Sequence, residues 1–238
     1  MTAPDDLHVV TVEQTDPRLG RNVVHDPRSR NFAFQATETP RRDITLRVYN
    51  PRPNLDQPIG CCTGVDVAVK CNVAGNRVRG VVLDMDDAVK VYSRATQIDP
   101  WPGAYPPSDT GSSGIAACKA SVEQGLIDRY DWIFTGTDGV YAALTQGRPV
   151  GVGTWWLDRM FRLDPTSGLI DVSGPRVGGH QYTIVGYRKR LDAFLGLCWW
   201  GDWGVDRQGR FLIRRASLQD LLMDDGDAHV VRRQGQNA

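Results

Sequence analysis

The amino-acid sequence predicts an α+β protein, and two observations carry that prediction. Between Cys62 and Gly147, apolar residues recur at helical spacing behind acidic or hydroxyl-bearing start signals. After Pro149, short runs rich in Val, Ile, Tyr, Phe and Trp are separated by Gly, Pro and charged turns, the pattern of strands. A helical first half followed by a sheet-rich second half leaves a cleft where the two meet.

The elements follow in chain order. Residues 1 to about 55 are rich in Pro, Arg and Asp, with His25-Asp26-Pro27-Arg28-Ser29-Arg30 and Pro51-Arg52-Pro53 read as extended or turn structure. Between them Ile44, Leu46 and Val48 alternate with polar residues, which predicts one short strand. This section is expected to wrap around the rest. Val65 to Cys71 is apolar enough for a buried helix, although its β-branched residues keep a strand open on local grounds. Asp84 and its acidic followers start a helix with an apolar face at Ala88, Val91, Tyr92 and Ala95. Asp99 to Gly111 reads as an aromatic-rich loop. Ser112 or Ser113 then caps a helix ending at Gly125, and Thr137-Asp138 starts another that stops at Gly147. Strands are expected at Val150–Thr154, Gln181–Tyr187, Ala193–Trp199 and Arg210–Ile213. A last helix, Ser217 to Met223, is expected to be capped by Ser217, with a frayed tail from Arg232.

Composition narrows the function. The chain has 238 residues, of which 41% are hydrophobic and 24% charged, so it has ample length to bury a core. Lys+Arg and Asp+Glu number 28 each, which gives no global field toward nucleic acid or anionic lipid. No run approaches membrane-spanning length. Met1-Thr-Ala-Pro lacks a basic start followed by an apolar stretch, so no secretory signal is expected. Five cysteines, an odd number with Cys61 and Cys62 adjacent, argue against a disulfide framework and against zinc spacing. They read as reduced thiols, with Cys71 and Cys118 as small core residues.

Two distant segments carry chemistry. One is Asp56-Gln57-Pro58-Ile59-Gly60-Cys61-Cys62-Thr63-Gly64. The other is Gly178-Gly179-His180-Gln181-Tyr182-Thr183-Ile184-Val185-Gly186-Tyr187, followed by Trp200-Gly201-Asp202-Trp203-Gly204. If a helix begins just after Gly60, its N-terminus favours a Cys62 thiolate and offers a backbone N–H to an oxyanion. Gln57 would add a side-chain donor. His180 follows two glycines that permit close approach, and it opens a strand-like run. His8, His25 and His229 lie near the ends without a nucleophile for company. Taken singly, Cys62 reads as core and His180 as a structural histidine; together they read as a nucleophile and its base.

These segments resemble the papain family, and more closely its divergent branch in phages and actinobacteria. Its D-Q-G-x-x-G-S-C-T segment places the oxyanion-hole glutamine on Gln57 and the nucleophile on Cys62. Its G-G-H-A-V strand places the base on His180. Asp109 to Ala117, Val150 to Phe161 and Gly209-Arg210-Phe211 also resemble the family, and His25–Arg30 resembles the leader of the branch. The resemblance implies a two-lobe fold, a helical lobe (about 56–147) and a β-barrel-like antiparallel lobe (about 148–231), with the active-site cleft between them. On it, residues 1–39 form an extended segment, 40–231 the catalytic domain and 232–238 a tail. It implies peptide or protein substrates, no metal or organic cofactor, no nucleic-acid or membrane partner, and a place in the host cytoplasm or a phage virion.

Two departures stand out. The glutamine loop is one residue shorter, and the family's N-S-W-G-x-x-W-G reads Cys198-Trp199-Trp200-Gly201-Asp202-Trp203-Gly204. The asparagine that orients the base is replaced by Cys198 or Leu197, and Asp202 is the alternative acceptor. Losing one neutral hydrogen bond to the base lowers the rate about tenfold if the ring stays oriented. Trp199 or Trp200 packed over the ring would hold it. Trp155, Trp156, Trp200 and the Trp101–Tyr105 loop are candidate cleft walls. The missing asparagine also motivates a second reading, a papain-fold protein with little turnover that serves a structural role beside phage structural proteins. A third reading is a lytic enzyme that cuts cell-wall peptides.

Overall fold

The protein is described from a computed structural model over residues 7–50, 55–76 and 80–233. Pro51-Arg52-Pro53 and the tail beyond Arg233 lie outside the described residues. The N-terminal segment supplies β1 (His8–Val10) and β2 (Val23–His25), which pair antiparallel. A 3-10 turn over Pro27–Phe32 follows, capped by the Asp26 carboxylate. The alternation from Ile44 to Val48 yields only a two-residue strand, β3 (Ile44–Thr45), and an isolated bridge from Val48 to Val73.

Three helices come next: α1 (Cys62–Asn72), α2 (Met85–Ile98) and α3 (Gly114–Glu123). The β-branched residues of α1 are overruled by its surroundings. Every residue of the helix is buried, the charged Asp66 and Lys70 included. Gly64 brings α1 against α2, since a Cβ there would lie 2.1 Å from the Ala88 carbonyl oxygen. Gly64→Ala is therefore expected to destabilise the protein by about 1–3 kcal/mol, read as a lower urea midpoint. Asp84 forms a reciprocal capping box with Asp87 at the start of α2. Ser113, rather than Ser112, caps α3.

The sheet holds β4 (Arg129–Trp132), β5 (Val150–Leu157), β6 (Arg176–Arg188), β7 (Ala193–Leu197), β8 (Arg210–Arg214) and β9 (Asp227–Arg232) in the order β4-β9-β5-β6-β7-β8, with β3 on β6. All these pairings are antiparallel. The expected barrel-like closure is not found: the sheet stays open, with β4 and β8 at its two ends. β9 sits between β4 and β5: Val230, Val231 and Arg232 pair with β4, Asp227 and Ala228 pair with β5, and His229 pairs with both, so Arg232 ends a strand rather than a frayed tail. α4 (Gly136–Thr145) and α5 (Arg215–Met223) complete the fold. α5 starts two residues before Ser217 and takes no side-chain cap, so the expected Ser217 cap is wrong.

Strand alternation decides what β6 shows to each side. Tyr182 and Ile184 enter the apolar core that includes Val140, Leu144 and Trp156. Gln181 and Thr183 turn the other way and bond Asp66 of α1, and Val185 joins the core beneath α1 and α2. Pairing of β6 with β7 begins only at Thr183, opposite Leu197. The edge of β6 before Thr183 is thus left open by β7.

Candidate active site

Cys62 is the first residue of α1, and Cys61 at the N-cap offers the first turn no side-chain acceptor. The Cys62 sulfur faces the backbone N–H of Gln181, one residue along from His180. The side chain is fully buried. Burial pushes its ionisation up to about 12, against the pull of the Gln181 N–H and of Arg21. The helix N-terminus therefore does not make a thiolate here, because loss of hydration outweighs it.

His180 leaves β6 on the side of Tyr182. Its ring lies 4.4 Å from Trp200, 5.1 Å from Trp156 and 6.0 Å from Tyr182, centroid to centroid. Both ring nitrogens are without a hydrogen bond among the described residues, so the expected bond to the Cys62 thiol is not formed. Burial, reinforced by the Arg18 guanidinium, pulls the imidazole down to about 3. Thiol and imidazole are both neutral in this state, rather than the expected ion pair.

The remaining candidates are placed as follows. Gln57 is buried, and its amide donates to the Arg18 carbonyl at 2.9 Å and the Ile59 carbonyl at 2.8 Å. Cys198 turns its thiol to the Gly209 carbonyl, and Leu197 pairs with Thr183 inside the sheet. Asp202 is exposed on a turn and accepts nothing from His180, which corrects its proposed use as acceptor. Trp200, buried like its neighbours, packs against the imidazole together with Trp156. Trp156 packs in the core and is no cleft wall. Trp155, pointing oppositely, packs with Val12 and Val23 and under the Arg176 guanidinium. Trp101 donates its indole N–H to Thr11.

What covers the site is the N-terminal segment. Arg18 carries its guanidinium 4.7 Å from the Phe161 ring and 5.0 Å from the Trp200 ring. Gly20 and Arg21 donate their N–H groups to the Gly179 carbonyl, and Ser112 donates to the Gly20 carbonyl at 2.7 Å. The glycines serve this contact: a Cβ on Gly179 would lie 2.2 Å from the Arg21 carbonyl oxygen. The close approach expected of Gly178-Gly179 is made to this segment.

The sequence reading also missed a buried charge cluster. Asp66 and Lys70, one turn apart on α1, pair at 2.7 Å with both side chains essentially unexposed. His229 lies 3.5 Å from Asp66 through Nε2 and 3.8 Å from Asp227 through Nδ1. Arg21 donates to Asp227 through Nε at 3.1 Å and Nη2 at 2.6 Å. Against the penalty of burial, Arg21 and His229 hold the Asp227 carboxyl well below the usual range. His229 is therefore a central residue, not the isolated one its position near the end suggested. The visible signal was Asp66 and Lys70 at i, i+4 inside an otherwise apolar helix.

Among the described residues no group of three or more His, Cys, Asp or Glu is arranged to hold a metal ion, and no helix is long and apolar enough to cross a membrane. No protein-family model and no curated protein matches the chain. Solved structures do match. Xylellain, a cysteine protease from Xylella fastidiosa, is 16% identical with a TM-score of 0.70, over 94% of this chain and 99% of that one. Digestive procathepsin L 3 of Tenebrio molitor larval midgut is 14% identical with a TM-score of 0.58, over 85% of this chain and 74% of that one. Procathepsin B S9 from Trypanosoma congolense is 15% identical with a TM-score of 0.56, over 92% and 85%. At these identities the likeness concerns backbone architecture, and on that ground the chain has the mixed helix-and-sheet fold of papain-like cysteine proteases.

Proposed function

We propose that the protein is a papain-like thiol hydrolase that cleaves peptide bonds with Cys62 as nucleophile and His180 as base, in a cleft between a helical and a sheet lobe. The observation that carries this reading is the Cys62 sulfur at the head of α1, set against the Gln181 N–H beside His180. Hydration of the cleft removes the burial that keeps both groups neutral, and departure of Arg18 removes the cation that depresses His180. The thiolate then attacks the amide carbonyl carbon. The Cys62 N–H and the Gln57 amide hold the developing oxyanion. His180 gives its proton to the leaving amine, and water hydrolyses the thioester. The resemblance to the phage and actinobacterial branch is part of the proposal, as is operation without metal or cofactor.

Cys62→Ala is expected to abolish labelling by a thiol-directed peptide inhibitor and any peptide hydrolysis, whereas Cys61→Ala keeps both. Loss of labelling in the Cys61 variant alone would move the nucleophile by one residue. The unpartnered His180 ring favours a second reading, a papain-fold protein of little turnover that serves as a structural component of a phage particle. Equal hydrolysis of a broad peptide library by wild type and Cys62→Ser would select it.

A further inference from the structure

The loop that leads into α1 is anchored at both ends. On the sheet side, Asp56 bridges Trp200, and the Gln57 N–H donates to the Trp199 carbonyl at 2.9 Å. On the helix side, the Gly60 N–H donates to Asp109 Oδ2 at 2.9 Å, across 49 positions of sequence. Gly60 lets that carboxylate come close: a Cβ there would lie 3.0 Å from Asp109 Oδ1 and 3.0 Å from the Leu19 carbonyl oxygen.

Asp109 is itself held from α2. The Tyr92 hydroxyl donates to Asp109 Oδ1 and accepts from the Gly111 N–H at 3.0 Å. Tyr92 is 0% exposed, and burial together with the Asp109 carboxylate keeps its phenol protonated, so it stays a donor. α2 in turn packs on α1, where a Cβ on Gly64 would lie 3.2 Å from the Tyr92 backbone nitrogen. A path of direct contacts thus runs from the Cys62 helix through Tyr92 and Asp109 back to Gly60. Between the two anchors lies Gln57. Its amide shares an oxyanion with the Cys62 N–H only if both donors stand about 3 Å from one oxygen atom. A misplacement of about 1 Å costs such a site on the order of a hundredfold in rate.

We propose that Asp109 is a positioning residue: through the Gly60 N–H it ties the Gln57 loop to Tyr92 and so sets the Gln57 amide beside the Cys62 N–H. This rests on the thiol-hydrolase reading of Cys62.

The test compares two reactions of one sulfur in the full chain. With 4-nitrophenyl acetate the thiolate adds to the carbonyl carbon, an oxyanion forms, and 4-nitrophenolate leaves as the acetyl thioester is made. With iodoacetamide the thiolate displaces iodide at a saturated carbon, and no oxyanion arises. Access to the cleft and thiol ionisation enter both rates, so the ratio of acetylation to alkylation reports the oxyanion donors. Both products are mapped to Cys62 by peptide mass spectrometry. Asp109→Ala is expected to lower the ratio at least about tenfold, as Gln57→Ala does. The double variant should fall no further than Gln57→Ala alone, because Asp109 acts through that amide. Asp109→Asn keeps an oxygen acceptor for the Gly60 N–H and should retain most of the wild-type ratio. Should Asp109→Ala fail to fold, Tyr92→Phe takes its place and is expected to lower the ratio at least about threefold. An unchanged ratio in the folded variant, even with both rates reduced equally, overturns the proposal. So does a double variant that loses the product of the single effects, or an Asn variant as low as the Ala one. Cys62 that is alkylated but never acetylated in the wild type would sink the hydrolase reading and this proposal together, whereas failure of the proposal alone shows only in the variants.

Discussion

Asp66→Ala is expected to lower stability by about 3–5 kcal/mol, seen as a fall in the urea midpoint with an unchanged slope. The substitution leaves the Lys70 ammonium, 0% exposed, without its carboxylate partner in the interior. It also strips the acceptor from the Thr183 hydroxyl, which donates to Asp66 at 2.7 Å. The large effect belongs to breaking the pair, not to the net worth of having it. Replacing both charges, Asp66→Leu with Lys70→Leu, should therefore recover most of the loss. Adding Thr183→Val should recover more, because the orphaned hydroxyl goes too. A single-variant loss below about 1 kcal/mol would remove the ion pair from the account.

Acid is expected to weaken the protein through His180. In the folded chain this imidazole takes a proton only near 3, against 6.5 for the free side chain, so within that window the unfolded chain holds more protons. Stability from this group is fully present above pH 6.5 and falls as pH drops, by up to about 1.4 kcal/mol per pH unit. Carboxylates such as Asp227 and Asp66 lose stability in acid as well, so the His180 share is isolated by difference. His180→Phe keeps an aromatic ring against Trp156 and Trp200 and removes the titrating group. Urea unfolding from neutral pH down to about pH 4 should show a flatter profile for the variant. Parallel profiles would mean that His180 is hydrated in the native state, contrary to the closed cleft.

Much of the local structure was readable before any coordinates. Asp84 and the Ser112-Ser113 pair announced the starts of α2 and α3 because a short polar side chain satisfies free N–H groups within its own turn. Gly147, with its positive φ of 74°, closed α4 for an equally local reason. The strand cores around Val150, Ile184, Phe194 and Phe211 followed from composition. β4 and β9 did not: each is short, and their pairing joins residues about a hundred positions apart. The Ser217 cap failed because Arg214 and Arg215 leave β8 directly into the helix.

The candidate site divides the same way. Cys62, Gln57 and His180 could be named from their segments, and the absence of an asparagine near Cys198 was visible in the sequence. Their ionisation was not. A thiol at a helix head and a histidine on a strand predict an ion pair. The N-terminal segment over the site and the aromatic rings around His180 exclude water, and that exclusion outweighs the helix dipole. Likewise Arg21 and Asp227, 206 positions apart, carry no local sign that they meet.

The sequence alone thus determined the helices, most strands and the three residues around which chemistry is proposed, because periodicity, caps and motif spacing act over a few residues. Only the tertiary structure decided that the N-terminal hairpin loop lies over those residues, that Asp66, Lys70, His229, Asp227 and Arg21 share one buried cluster, and that Cys62 and His180 rest neutral. Desolvation depends on what packs over a group from elsewhere in the chain, and no local pattern encodes it.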